Sequence, residues 1–112
     1  MEYISTRGNY KSVSSAEAIS LGMVPDGGLF VPAQIPELSR EEIMKMQNKS
    51  YQDLAAWIFK KYLSDFTENE IYDSVKEAYQ DLSFPVEEKT PLIKLAQNTY
   101  LLELWHGPTA AF

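Results

Sequence analysis

At four places along this chain a Ser or Thr opens a helix-forming stretch three residues ahead of an acid: Ser14 and Glu17, Ser39 and Glu42, Ser50 and Asp53, Thr67 and Glu70. In that spacing the hydroxyl accepts the backbone N–H of the third helical residue, and the acid can reach back to the cap. The pattern predicts four helix starts and so fixes where the chain cannot be strand. The first helix, over about Ser15–Leu21, carries Ala18, Ile19 and Leu21 and stops at Gly22, a residue that takes positive φ past a helix end without strain. The helix from Tyr51 places Tyr51, Leu54, Ala55, Ile58, Phe59 and Tyr62 at spacings of three and four, one helical face. The helix after Thr67 repeats this with Ile71, Val75, Ala78, Tyr79 and Leu82, and Ser83-Phe84-Pro85 ends it. Helices over 51–63 and 67–82 joined by a short loop predict an antiparallel pair with enough apolar surface to form its own core.

Strand signals flank the helices. Glu2-Tyr3-Ile4-Ser5-Thr6 has β-branched and aromatic content, with Arg7-Gly8-Asn9 as a loop after it. Pro25-Asp26-Gly27-Gly28 is a turn, because proline presets φ and glycine accepts positive φ. Leu29-Phe30-Val31 then reads as a short buried strand ended by Pro32 and Pro36. Near the end, Leu92–Ala96 and Thr99–Leu104 flank Gln97-Asn98, which predicts a β-hairpin with Asn98 in the left-handed conformation. Tyr100, Leu102 and Leu104 share one face of its second strand and Leu101 and Trp105 the other, with Glu103 between them. Apolar residues on both faces imply a strand covered on both sides; a chain of this size buries one face, and the other calls for further protein.

Composition narrows the function classes. The chain has 112 residues, 45% hydrophobic and 23% charged, which fits one ordinary globular domain. A net charge of −6 with no cluster of Lys and Arg disfavours nucleic acid. No apolar run is long enough for a bilayer, so no membrane is expected. Cysteine is absent, which excludes disulfides and thiolate chemistry and fits a cytoplasmic location. The single His106 excludes a two-His metal site, and no metal is expected. The apolar ending Ala110-Ala111-Phe112, with no polar tail, predicts a chain that continues.

Three places carry candidate chemistry. His106 stands at a strand end before Gly107-Pro108-Thr109, where glycine permits close backbone approach and threonine and free N–H groups suit an anion; a structural hydrogen bond is the plainer reading of a lone histidine. Thr6-Arg7-Gly8 sets a hydroxyl and a guanidinium after a strand, suited to phosphate or carboxylate, or to an ordinary surface loop. Asp26-Gly27-Gly28 offers backbone N–H groups, and on local grounds is a tight turn. The helix acids read as caps and solvated faces.

These stretches, in this order, resemble the N-terminal region of the threonine synthase family, pyridoxal-phosphate enzymes of fold type II. Ser5-Thr6-Arg7-Gly8 is similar to its opening, Gly22 through Pro32 (G-M-V-P-D-G-G-L-F-V-P) to its second motif, the Tyr79 to Phe84-Pro85 region to the end of its helical segment, and Leu102 through Phe112 to its L-E-L-F-H-G-P-T-x-A-F motif. Trp105 replaces the usual Phe and Ala110 a commoner Leu, both still apolar. The resemblance implies a small α+β (or α/β) N-terminal domain over 1–85, then over 86–112 the hairpin and the start of a truncated pyridoxal-phosphate catalytic domain. It implies conversion of O-phospho-L-homoserine and water to L-threonine and phosphate. The lysine that holds the cofactor is expected immediately after Phe112, so no catalytic residue lies in this chain, which alone is expected to be inactive and to bind no pyridoxal phosphate. His106, Thr109 and Phe112 are candidates to lie near the cofactor, and Thr6 and Arg7 to contact substrate or to hold the N-terminal strand against the catalytic domain. Two alternatives remain: a threonine-synthase-like phospho-lyase of other specificity, or a structural module that packs on a catalytic domain. The exposed hairpin is expected to promote self-association.

Overall fold

In the computed structural model, which describes residues 1–80, 84 and 88–108, the four capping signatures each start a helix. The element order is β1 (Glu2–Ser5), β2 (Val13–Ser14), α1 (Ser15–Leu21), β3 (Phe30–Pro32), α2 (Arg40–Met46), α3 (Tyr51–Tyr62), α4 (Glu68–Ala78), β4 (Leu92–Ala96) and β5 (Thr99–Leu102). Ser39 and Thr67 form complete capping boxes with Glu42 and Glu70, whose carboxylates accept the cap N–H. Ser14 and Ser50 accept the N–H of Glu17 and Asp53. Leu82, Ser83 and Pro85 lie outside the described residues.

One sheet has β1 at its centre, antiparallel to β2 on one side and β3 on the other. Tyr3 faces Val13 across one ladder and Pro32 across the other. Pro32 is tolerated because β3 is an edge strand, where a missing N–H costs no ladder bond. The strand is half-buried rather than buried, and Leu29, exposed, precedes it. Val13, Ala18 and Val24 are the buried apolar residues of this half, where α1 lies against β1 and β2.

The helical half is an antiparallel hairpin of α3 and α4. The start of α3 meets the end of α4 through the Gln52 side-chain amide, which donates to the Tyr79 carbonyl at 2.7 Å, and through edge-on Tyr51 and Tyr79 rings 5.0 Å apart. The end of α3 meets the start of α4 through the Lys60–Glu68 ion pair. Its core is smaller than the apolar pattern implies. Ile71 and Val75 are buried, but Tyr51, Leu54, Ala55, Ile58 and Phe59, with Tyr79 at the end of α4, line an open groove of about 250 Å³. Two helices bury one stripe between them; a second stripe needs a third layer.

The halves are joined at the loop between α3 and α4. The Tyr3 hydroxyl donates to the Tyr62 carbonyl at 3.3 Å, the amino terminus donates to Ser64 Oγ, and Asp65 accepts from the first turn of α1. Burial, with Asp65 and Tyr62 nearby, raises the Tyr3 pKa and keeps the phenol a donor.

The hairpin β4–β5 is a separate two-stranded sheet. Asn98 takes φ 63° in its turn, as the Gln97-Asn98 pair requires. The register pairs Leu92 with Leu102 and Ile93 with Leu101, with an irregularity between Lys94 and Ala96. Every residue of both strands is exposed, so neither face is buried, where the sequence led us to expect one covered face. Nothing else among the described residues adds a layer to this sheet.

Candidate functional site

Two polar turns carry the residues singled out in the sequence. The first joins two of the candidates. β1 ends at Ser5, and the chain turns through Thr6-Arg7-Gly8 directly over Asp26-Gly27-Gly28. The Thr6 hydroxyl accepts the Leu29 N–H at 3.1 Å, and the Thr6 N–H donates to the Leu29 carbonyl at 3.0 Å. Asn9 Nδ2 donates to the carbonyls of Asp26 and Gly27, and the Ser5 hydroxyl, itself bonded to Asn9 Oδ1, accepts the Arg7 N–H. The Arg7 side chain crosses the glycine turn. A Cβ on Gly27 would stand 3.0 Å from Arg7 Nη1, and one on Gly28 would stand 3.2 Å from Thr6 Oγ1 and 3.3 Å from Arg7 Cγ. With φ of 87° and 108°, both positions require glycine by backbone conformation, and at Gly28 the close Thr6 Oγ1 and Arg7 Cγ add to it. The Thr6 hydroxyl is engaged in holding β1 to the strand that follows the turn; Arg7 is exposed.

The second turn follows β5. The Glu103 N–H donates to the Pro91 carbonyl at 2.9 Å, which ties the end of the second strand to the start of the first. His106 Nε2 lies 2.6 Å from Glu103 Oε2, and the two side chains are only 18% and 21% exposed. The Trp105 ring stands 5.7 Å from the imidazole. Gly107 adjoins Phe84, whose ring stacks on Tyr79 at 5.9 Å and carries the Lys89 ammonium 5.2 Å from its centre. A Cβ on Gly107 would be in ordinary contact with Phe84 at 3.9 Å, so neither packing nor positive φ among the described residues demands glycine there. Thr109 and Phe112 lie outside the described residues.

Sequence reasoning passed over Glu103. The available signal was an acid three residues before the only histidine, alone among apolar neighbours. It also passed over Lys89, buried at 9% exposure, whose ring contact depends on where the chain after α4 lies.

Among the described residues, no helix is long and apolar enough to cross a membrane, and no group of three or more His, Cys, Asp or Glu is arranged for a metal ion. An imidazole and the backbone of a Gly-Pro turn suit the surroundings of a phosphorylated cofactor.

These features describe a small α+β domain that carries a two-stranded apolar ribbon and, at its end, a shielded Glu–His pair. A family model described as "Threonine synthase N terminus" matches residues 2–79. The chain belongs to the threonine synthase family. It is 36% identical over 119 residues to threonine synthase of Methylobacillus glycogenes, covering 100% of this chain and 25% of that one. It is 33% identical over 114 residues to threonine synthase-like 2 of Homo sapiens, covering 100% of this chain and 23% of that protein. The solved structure of PLP-bound threonine synthase from Brucella melitensis superposes with a TM-score of 0.84 at 33% identity, over 100% of this chain and 24% of that one. The chain thus spans about a quarter of the length of the relatives it matches.

Proposed function

We propose that this chain is the N-terminal part of a threonine synthase that converts O-phospho-L-homoserine and water to L-threonine and phosphate. The observation that carries this reading is the match over the whole chain, in sequence and in fold, to threonine synthases. The N-terminal domain runs over 1–85, and 86–112 opens the catalytic domain; in support, the family model ends at residue 79 and β4–β5 forms its own sheet.

When bound, pyridoxal phosphate supplies an electron sink for the substrate carbons next to the amino group. This chain's contribution is positional. Thr6 ties β1 to the glycine turn through Leu29, and Arg7 lies across that turn, which favours a role for both in holding the N-terminal strand over a role in substrate contact. His106 lines the approach to the cofactor, with Thr109 and Phe112 following it. A lysine directly after Phe112 holds the cofactor in the complete protein, so this chain alone is inactive and retains no pyridoxal phosphate. Its location is the cytoplasm.

The test is phosphate release and threonine formation from O-phospho-L-homoserine by the complete protein. An enzyme that binds pyridoxal phosphate but acts only on a different phosphorylated hydroxy-amino acid would establish the phospho-lyase reading, which the likeness to human threonine synthase-like 2 keeps open. For the 112-residue chain, a borohydride-reducible pyridoxal phosphate adduct at one stoichiometric site would overturn the assignment of the binding lysine.

A further inference from the structure

The burial order at the end of β5 is inverted. Leu102, Leu104 and Trp105 are 50%, 70% and 55% exposed, while the side chains of Glu103 and His106 beside them are shielded. Burial of a polar pair costs free energy unless its hydrogen bonds are made, whereas burial of the leucines would have been favourable. The local structure therefore protects a Glu–His contact where hydrophobicity alone would have protected the neighbours.

That contact dictates which imidazole nitrogen bears a proton. An ionised carboxylate only accepts, so Nε2 must donate to Glu103, and in the neutral ring Nδ1 is then an acceptor. The segment that carries Glu103 is itself fixed by the bond of its N–H to the Pro91 carbonyl, and Gly107, directly after His106, lies against Phe84. We propose that Glu103 is a positioning residue for His106: it holds Nε2 as donor and leaves Nδ1 as the nitrogen that accepts a hydrogen bond from the phosphorylated amino-acid substrate. The second clause rests on the function proposed above; the first does not.

Because His106 is the only histidine, its ring nitrogens give a single set of signals in a long-range ¹H–¹⁵N spectrum of the 112-residue chain. With the ring neutral, the wild-type chain is expected to show the Nε2–H tautomer alone. Glu103→Gln, whose amide oxygen still accepts, should keep that pattern, and Glu103→Ala should give a mixture of tautomers with the backbone amide spectrum otherwise preserved. An Nδ1–H ring in the wild type, or no change in Glu103→Ala, overturns the positioning role.

In the complete enzyme, Glu103→Ala should lower kcat about tenfold or more, the scale of one charge-assisted hydrogen bond. KM should stay within about twofold, and Glu103→Gln should recover most of the loss. A tautomer mixture with unchanged kcat overturns the substrate contact of Nδ1 and leaves the positioning role standing. A wild-type enzyme with no activity on any phosphorylated hydroxy-amino acid overturns the functional reading and that contact together, while the tautomer spectrum still decides the role of Glu103.

Discussion

Asp65 caps a helix to which it does not belong: its Oδ2 accepts the Ala16 N–H at 2.8 Å across 49 positions of sequence. Its Oδ1 accepts the Ser15 N–H at 3.2 Å and also bonds the Ser15 hydroxyl. Ser14 takes the Glu17 N–H, so the three free N–H groups of the first turn of α1 are all satisfied, one locally and two from the loop between α3 and α4. The same carboxylate that completes the helix also joins the sheet half to the helical half.

Asp65→Ala should destabilise the chain by about 1 kcal/mol, the usual cost of losing a cap. Burial pushes the Asp65 carboxyl up, but the bonds led by the Ala16 N–H outweigh it, and the net pKa is lowered. A depressed carboxyl contributes stability above its unfolded value that is lost as pH falls through the folded one. Thermal melts of wild type and Asp65→Ala should therefore differ near neutrality and draw together in acid. Parallel curves at all pH values would rule this cap out as a titrating contributor.

Glu42 should make a second acid-sensitive contribution. The Lys61 ammonium at 2.8 Å, then the Ser39 N–H and hydroxyl, lower its pKa from 4.5 to about 2. The sign is the same: the contribution is present above pH 4.5 and disappears as pH falls toward about 2. Glu42→Gln should melt below wild type at neutral pH and match it in strong acid. A Glu42→Gln chain as stable as wild type at neutral pH would show that exposure and screening cancel the pair.

The two glycine types should separate in mutagenesis. Gly22 has φ 70° and ψ −55°, a strained γ-turn closed by the Met23 N–H on the Leu21 carbonyl, with open space around a Cβ, so Gly22→Ala carries backbone strain alone, roughly 1–3 kcal/mol. Gly28→Ala adds close contacts to Thr6 Oγ1 at 3.2 Å and Arg7 Cγ at 3.3 Å to its strained φ, and should cost more than Gly22→Ala. Denaturant titrations of the two variants check the order. Equal losses would show that Arg7 moves aside freely.

The exposed ribbon should drive self-association of this chain. Leu95, 62% exposed, lies on a two-stranded sheet to which no third strand pairs among the described residues, and Leu104, just past β5, is 70% exposed. Sedimentation at increasing concentration should show oligomers, and Leu95→Lys with Leu104→Lys should shift the chain toward monomer. A wild-type chain that stays monomeric throughout the series counts against the ribbon as an adhesive surface.

The sequence by itself determined the local grammar. Ser14, Ser39, Ser50 and Thr67 set four helix starts because a cap acts within three residues, and Asn98 and the paired glycines set their turns because φ is a property of one residue. Membership of the threonine synthase family was also legible, in the G-L-F-V-P and H-G-P-T stretches. The tertiary structure alone decided which apolar faces are covered and which polar groups meet. The helical stripe from Tyr51 to Phe59 looked like core yet lines an open groove, because periodicity marks a face without naming its partner. Thr6-Arg7 and Asp26-Gly27-Gly28 read as two separate loops and are one packed unit, because β1 and β3 pair. Asp65 lies in a loop between two helices, carries no local signal and is a cap, because its partners lie 49 and 50 residues away. Hydrogen bonds across such distances depend on how the chain folds back, and no local pattern records that.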